Sequence, residues 1–95
     1  MQAERISISG RVQGVGYRYW FMTQAVRLGL RGWVKNCADG RVEAAIAGPK
    51  DACQKMIEAA YVGPRFARVS AIEKLGVINL PEACSQAKDG FQIVG

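Results

Sequence analysis

The order of hydrophobic patterns predicts an α+β protein, with an antiparallel sheet of four to five strands and two helices packed on one of its faces. Two stretches of helical spacing carry this reading, Tyr17 to Leu28 and Gly48-Pro49 to Gly63-Pro64, each flanked by strand-like segments. An Asp39-Gly40 pair between two short strand-like runs adds a hairpin turn. The resulting order is β-α-β-β-α-β with a small extra strand, the split βαβ arrangement of a ferredoxin-like sandwich. Ninety-five residues suffice for one core but not two, so residues 1–95 are read as a single domain.

Each element has its own signal. Arg5 to Val12 alternates, with Ile6, Ile8 and Val12 on one face and Arg5, Ser7, Ser9 and Arg11 on the other, as in a half-buried strand. Tyr17, Phe21, Ala25 and Leu28 then recur at helical spacing, and Gly29 stands where a C-terminal cap belongs. Arg31 to Asn36 reads as the second strand, with Trp33 and Val34 inside it. Arg41 to Ala47 is the return strand of the hairpin, with Val42, Ala44 and Ile46 on one face. Pro49 suits the first position of the second helix, where a missing N–H is no loss, and Asp51 suits the positive helix end. Ala52, Met56, Ile57 and Ala60 form its buried stripe. Val69 to Ile78 reads as a longer strand whose imperfect alternation points to a β-bulge. Pro81 to Gly90 is polar and expected to be a loop, and Phe91 to Val94 a short final strand.

Composition removes several classes of function. A hydrophobic content of 49% with 22% charged residues is that of a globular domain. No apolar run approaches the roughly 18–20 residues of a membrane helix. The first five residues show no signal-peptide pattern, so the cytoplasm is the expected location. Cys37, Cys53 and Cys84 are widely spaced, and the chain has no histidine, which argues against a disulfide framework and a zinc site. The net charge of +5 is spread along the chain without a dense run. Such a diffuse field fits the drawing-in of small anions as well as a nucleic-acid footprint, and most of these side chains are read as solvated.

The most informative segment is Gly10-Arg11-Val12-Gln13-Gly14-Val15-Gly16-Tyr17-Arg18. A strand runs into a glycine turn, and the turn runs into a helix with Arg18 in its first turn. Gly14 and Gly16 allow tight bending and close approach to an anion. The amides at the helix start have no partners inside the helix, and Arg18 offers a planar fork of donors. The Walker A pattern fails, because Tyr17 and Arg18 follow Gly16 where Lys and Ser or Thr belong. The dinucleotide pattern fails as well, because its third glycine would fall on Tyr19. The turn alone fits a phosphate seat and a plain connector equally.

Topology adds a second residue. In this fold the first two strands run in the same direction, so their ends share one end of the sheet. Asn36, at the end of the second strand, is therefore expected beside the glycine turn, where its amide can form a turn or hold a water. No Ser or Cys has a base beside it, no carboxylate cluster offers a magnesium site, and Asp39 reads as a turn residue. An enzyme with this inventory uses no metal, no covalent intermediate and no strong base. It suits an intrinsically easy reaction such as hydrolysis of a mixed phosphate anhydride.

The nine-residue segment is followed by Ala25, Leu28-Gly29-Leu30, Gly32-Trp33-Val34-Lys35-Asn36 and Asp39-Gly40-Arg41-Val42-Glu43. Together these closely resemble the signature of the acylphosphatase family, tightly over the first half of the chain and by pattern beyond it. The resemblance implies hydrolysis of small-molecule acyl phosphates to a carboxylate and inorganic phosphate. It implies that Gln13, Gly14, Val15, Gly16, Tyr17 and Arg18 form the phosphate-binding stretch, with the amides of 14–18 as the cradle and Arg18 on the phosphoryl group. Asn36 would position the attacking water. A monomer without cofactor, nucleic acid or membrane partner is expected. Tyr17 departs from the family's usual Phe and needs a partner for its hydroxyl, and the stretch from Asn79 to Lys88 is longer than expected.

Two alternatives belong to other classes. An RNA-binding module of the same fold would carry stacking aromatics on its central strands, and Ile6 to Val12 and Arg41 to Ala47 have none. A non-catalytic domain that binds anions or carbamoyl phosphate is known fused to larger maturation enzymes. A chain that starts and stops with the domain favours a stand-alone enzyme.

Overall fold

The computed structural model describes residues 1–80 and 90–94. Its elements are β1 (Gln2–Arg11), α1 (Tyr17–Arg27), β2 (Arg31–Asn36), β3 (Val42–Ala47), α2 (Lys50–Val62), β4 (Arg68–Asn79) and β5 (Phe91–Ile93). The strands form one sheet in the order β4-β1-β3-β2-β5, so the hairpin strand β3 lies between β1 and β2 as expected.

The two layers share one core. Ile6, Ile8 and Val12 from β1 and its end, Val34 from β2, and Val42, Ala44 and Ile46 from β3 form the covered sheet face. Tyr17, Phe21 and Ala25 of α1 and Met56 and Ala60 of α2 pack against it. The other face is covered only in part. There Ala45 and Ala47 are buried with Ala3 and Leu80, against Trp33 and Ile78. The hairpin strand is thus buried on both faces along most of its length, where the sequence indicated one.

Helix α1 ends as its sequence directs. Gly29 takes φ 72°, a left-handed conformation that only glycine adopts without strain. The Leu30 amide donates to Ala25 O at 2.9 Å and the Gly29 amide to Val26 O at 3.0 Å, a Schellman cap. Helix α2 starts one residue later than the sequence suggests. Pro49 is its N-cap, with φ −57° and ψ 146°, and contributes the carbonyl that accepts the Cys53 amide at 3.0 Å. Proline serves here because an N-cap needs a free carbonyl and no N–H.

The imperfect alternation of the fourth strand has a physical cause. Pairing with β1 shifts register twice, between Arg5 and Ile6 and between Ser9 and Gly10. Leu75 and Ser70 are the extra residues, and each resets which side chains face the helices. The expectation of an antiparallel sheet holds for four strands; β5 joins β2 in parallel. Asn79 leaves the sheet opposite Gln2, and Phe91 re-enters it opposite Gly32. Both points lie at the end where β1 and β2 begin, so β5 has to run in the direction of β2. The loop expected from Pro81 to Gly90 falls, but for Gly90, outside the described residues, as does Cys84.

Candidate active site

The site is laid out by sheet register. Ile8 of β1 pairs with Val42 of β3, and Val42 pairs with Asn36 of β2. The three residues form one row near the end of the sheet from which β1 passes into the glycine turn. Two strand spacings separate Ile8 from Asn36, about 10 Å. The turn closes much of that gap, because the Gln13 side chain reaches the carbonyl of Cys37, Asn36's neighbour, at 2.8 Å.

Gly14 and Gly16 have φ 73° and 77°, and Gly16 is the N-cap of α1. A glycine in this position has no side chain with which to cap the helix, and no acidic residue stands in the first turn. The first bond of the helical ladder runs from the Trp20 amide to Gly16 O at 3.1 Å. The amides of Gly14, Val15, Gly16, Tyr17 and Arg18 have no acceptor among the described residues. Helix dipole and free N–H groups together make this a place for negative charge. Arg18 is half-buried, and its guanidinium makes no hydrogen bond or ion pair with any described residue.

Tyr17 fixes the start of α1. Its hydroxyl donates to Ala60 O at 2.7 Å, satisfying a carbonyl in the last turn of α2 that the helix itself leaves free. That is the partner the phenol required, and burial raises its pKa above the ordinary value. Its ring packs against Trp20 and Phe21 at centroid distances of 5.5 and 6.2 Å.

Asn36 shares the face of Val34, the face covered by the helices, and α1 packs over β2. Its Oδ1 is buried and has no hydrogen-bond donor among the described residues. A buried acceptor in this condition is costly unless a donor reaches it from outside the chain.

Gln13 behaves unlike the rest of the stretch. Its Nε2 donates to Cys37 O and to Arg41 O, each at 2.8 Å. Its side chain is therefore engaged, and its own amide is the only donor it has left for an anion. Nothing in the residue types signals this pairing, since both acceptors are main-chain atoms. The network behind the turn is equally hidden from the residue types. The Arg41 guanidinium meets Asp39 at 2.7 Å, Glu43 at 3.8 Å and Ser7 Oγ.

Asp39 is a turn residue, with Oδ1 accepting the Arg41 amide at 3.2 Å, and the Arg41 bonds hold its carboxyl below the usual range. Burial, reinforced by Glu43 and Asp39, pushes the Cys37 thiol up against the opposing pull of Arg41 and Lys35. Cys37 and Cys53 are both unpaired. Among the described residues no three His, Cys, Asp or Glu side chains converge, and no helix is long and apolar enough to cross a membrane.

Comparison with known proteins identifies the family and the fold. Residues 4–93 match the family model of acylphosphatase. An acylphosphatase of Nitrobacter hamburgensis is 56% identical over 69 residues, which covers 73% of this chain and 70% of that protein. The crystal structure of acylphosphatase from Bacillus subtilis aligns with a TM-score of 0.84 and 40% identity over 100% of both chains. HypF from T. kodakarensis contains the same fold as a small part of a larger chain, with a TM-score of 0.77, 36% identity and coverage of 98% of this chain and 12% of that one. Neither the RNA-binding nor the non-catalytic reading is favoured by these likenesses. The chain belongs to the acylphosphatase family.

Proposed function

We propose that the acyl phosphate hydrolysis of this family runs here on the turn 13–18, Arg18 and Asn36. The reaction comes with the family, and the roles of the residues are inferred from their chemistry. One observation carries the reading: an uncapped helix start, whose amides have no acceptor among the described residues, lies at the same sheet end as a buried Asn36 oxygen with no donor among them.

The amides of Gly14 to Arg18 and the Arg18 fork take the phosphoryl oxygens. They are fixed before substrate arrives, so little reorganisation is needed as charge shifts in the transition state. Asn36 Oδ1 accepts one O–H of a water and leaves its lone pair directed at phosphorus. The new P–O bond forms as the bond to the acyl oxygen breaks. The acyl group departs as a carboxylate, a good leaving group, and the two protons of the water stay with the phosphate. The net change is R–CO–OPO₃²⁻ plus water to R–COO⁻ plus H₂PO₄⁻, so no general base is required.

The proposal extends to a metal-independent monomer of one domain working in the cytoplasm. Support comes from a seat and a water holder that both lie in one chain, with no convergent metal-ligand cluster among the described residues. The test is release of phosphate from benzoyl phosphate by the purified chain in excess EDTA, with inorganic phosphate as a competitive inhibitor. Turnover in EDTA is expected. Activity that appears only on adding a divalent ion overturns the metal-free reading.

A further inference from the structure

We infer that Gln13 is a positioning residue, whose side-chain amide locks the phosphate turn to the turn after Asn36 and so fixes the attacking water against phosphorus. The inference rests on the roles given above to the 14–18 amides, Arg18 and Asn36. It assigns Gln13 a task other than binding the anion through its side chain.

The geometry leaves little freedom. The Gln13 Nε2 lies 2.8 Å from Cys37 O and 2.8 Å from Arg41 O. A primary amide has two N–H groups, and each carbonyl takes one. The reverse orientation would set Oε1 against two acceptors, so chemistry determines which end of the amide faces the turn. Each carbonyl also accepts a main-chain bond. The Gly40 amide donates to Cys37 O at 3.2 Å, and the Cys37 amide donates to Arg41 O at 2.8 Å. Gln13 therefore fills the remaining acceptor positions of a turn that already closes on itself.

That turn is also held from behind. Arg41 is fixed by Asp39, Ser7 and Glu43, so the platform that Gln13 grips does not shift easily. Asn36 is one residue from the gripped carbonyl of Cys37, and Gly14 is one residue from Gln13. Among the described residues, no other hydrogen bond joins residues 13–16 to residues 36–41. Cutting these two bonds separates the halves of the site while leaving each half its own groups. The seat still binds phosphate, Asn36 still binds water, and their separation is no longer fixed.

The experiment compares Gln13→Leu and Gln13→Glu with the wild-type chain. It reads kcat for benzoyl phosphate, the inhibition constant of inorganic phosphate, and kcat across pH as a ratio to wild type, which cancels the substrate's own ionisation. Gln13→Leu is expected to lose about 10- to 100-fold in kcat, the scale of a misplaced reacting group, while phosphate inhibition stays within about threefold. Gln13→Glu is similar in size but has no donor when ionised. It is expected to match Gln13→Leu near pH 7.5 and to recover by about fivefold or more near pH 5, because the two facing carbonyl oxygens disfavour the carboxylate and raise its pKa above the ordinary value of about 4.3, and the protonated carboxyl regains one O–H for a carbonyl.

Several results overturn the inference. They are Gln13→Leu retaining more than about half of wild-type kcat, kcat and phosphate affinity falling together, and a flat pH ratio for Gln13→Glu. If Gln13→Leu fails to fold by circular dichroism, the pH ratio of Gln13→Glu alone decides. A wild-type chain inert to benzoyl phosphate and indifferent to phosphate overturns the functional reading, and this inference with it.

Discussion

Asn36→Ala is expected to remove catalysis without removing stability, and the structure supplies the sign of each effect. Oδ1 is buried without a donor among the described residues, and an unpaired buried acceptor costs roughly 1–3 kcal/mol, most of which a water held there as proposed above recovers. Alanine removes what remains of that cost. It also removes the packing of the amide group and leaves a void on the order of 30 Å³, which at about 24 cal/mol per Å³ costs about 0.7 kcal/mol. The two contributions oppose each other and are similar in size. Net stability should move by no more than about 1 kcal/mol, a Tm change within about 4–8 °C for a domain of this size. The barrier changes far more. Losing the group that orients the water should lower kcat by roughly 10²–10³, equivalent to about 2.7–4 kcal/mol. Inhibition by phosphate should survive, because the seat is built from other residues. Steady-state hydrolysis of benzoyl phosphate, phosphate inhibition and a thermal melt read all three quantities. Phosphate affinity lost with kcat retained would move Asn36 from water positioning to binding. A Tm drop of more than about 10 °C alongside the loss of activity would make its role structural.

The remaining predictions follow from the same geometry. Arg18→Lys should lower kcat/KM on the order of 10²-fold or more, because each charge-assisted contact is worth about 1.5–3 kcal/mol and an ammonium cannot reproduce a planar fork; retention of more than about half the wild-type value would sink the assignment. Gly14→Val should abolish phosphate inhibition while circular dichroism stays native. Its Cβ would meet nothing within 4 Å, so the harm lies in forcing a β-branched residue to φ 73°; unchanged inhibition would mean that these amides do not form the cradle. Tyr17→Phe leaves Ala60 O without its buried donor and should cost about 1 kcal/mol, seen as a fall in Tm of about 4–8 °C. Cys37→Ser should keep full activity, and the pH profile should show no step near 6.5, the ordinary range of a histidine that this chain lacks. Because the folded-state pKa of the Cys37 thiol is raised, its thiolate fraction at a given pH is reduced, and iodoacetamide should modify it more slowly than free cysteine. Faster modification would contradict the protonated thiol.

What the sequence made legible, and what it did not, divides along the difference between side chains and main chain. Periodicity located both helices and all five strands, because burial of Ile6, Phe21, Val42 and Met56 is written in residue type. It could not distinguish a parallel from an antiparallel β5, since Phe91 to Ile93 reads the same in either direction and only the point of re-entry opposite Gly32 decides. It placed Pro49 inside α2 rather than at its cap, because both positions tolerate a missing N–H and differ only in backbone angle. The site shows the same division more sharply. Arg18 and Asn36 stand out in the sequence because their chemistry resides in guanidinium and amide groups. Gln13 was found for its place in the motif but not for its task, which depends on two carbonyls 24 and 28 residues away, and any residue type at Cys37 or Arg41 would supply the same atoms. A seat made of main-chain amides, held by a side chain that grips main-chain carbonyls, leaves most of its working atoms out of the residue alphabet. The residues that mark it are those that shape or hold the backbone, Gly14, Gly16 and Gln13, together with the groups proposed to meet the substrate and the water, Arg18 and Asn36.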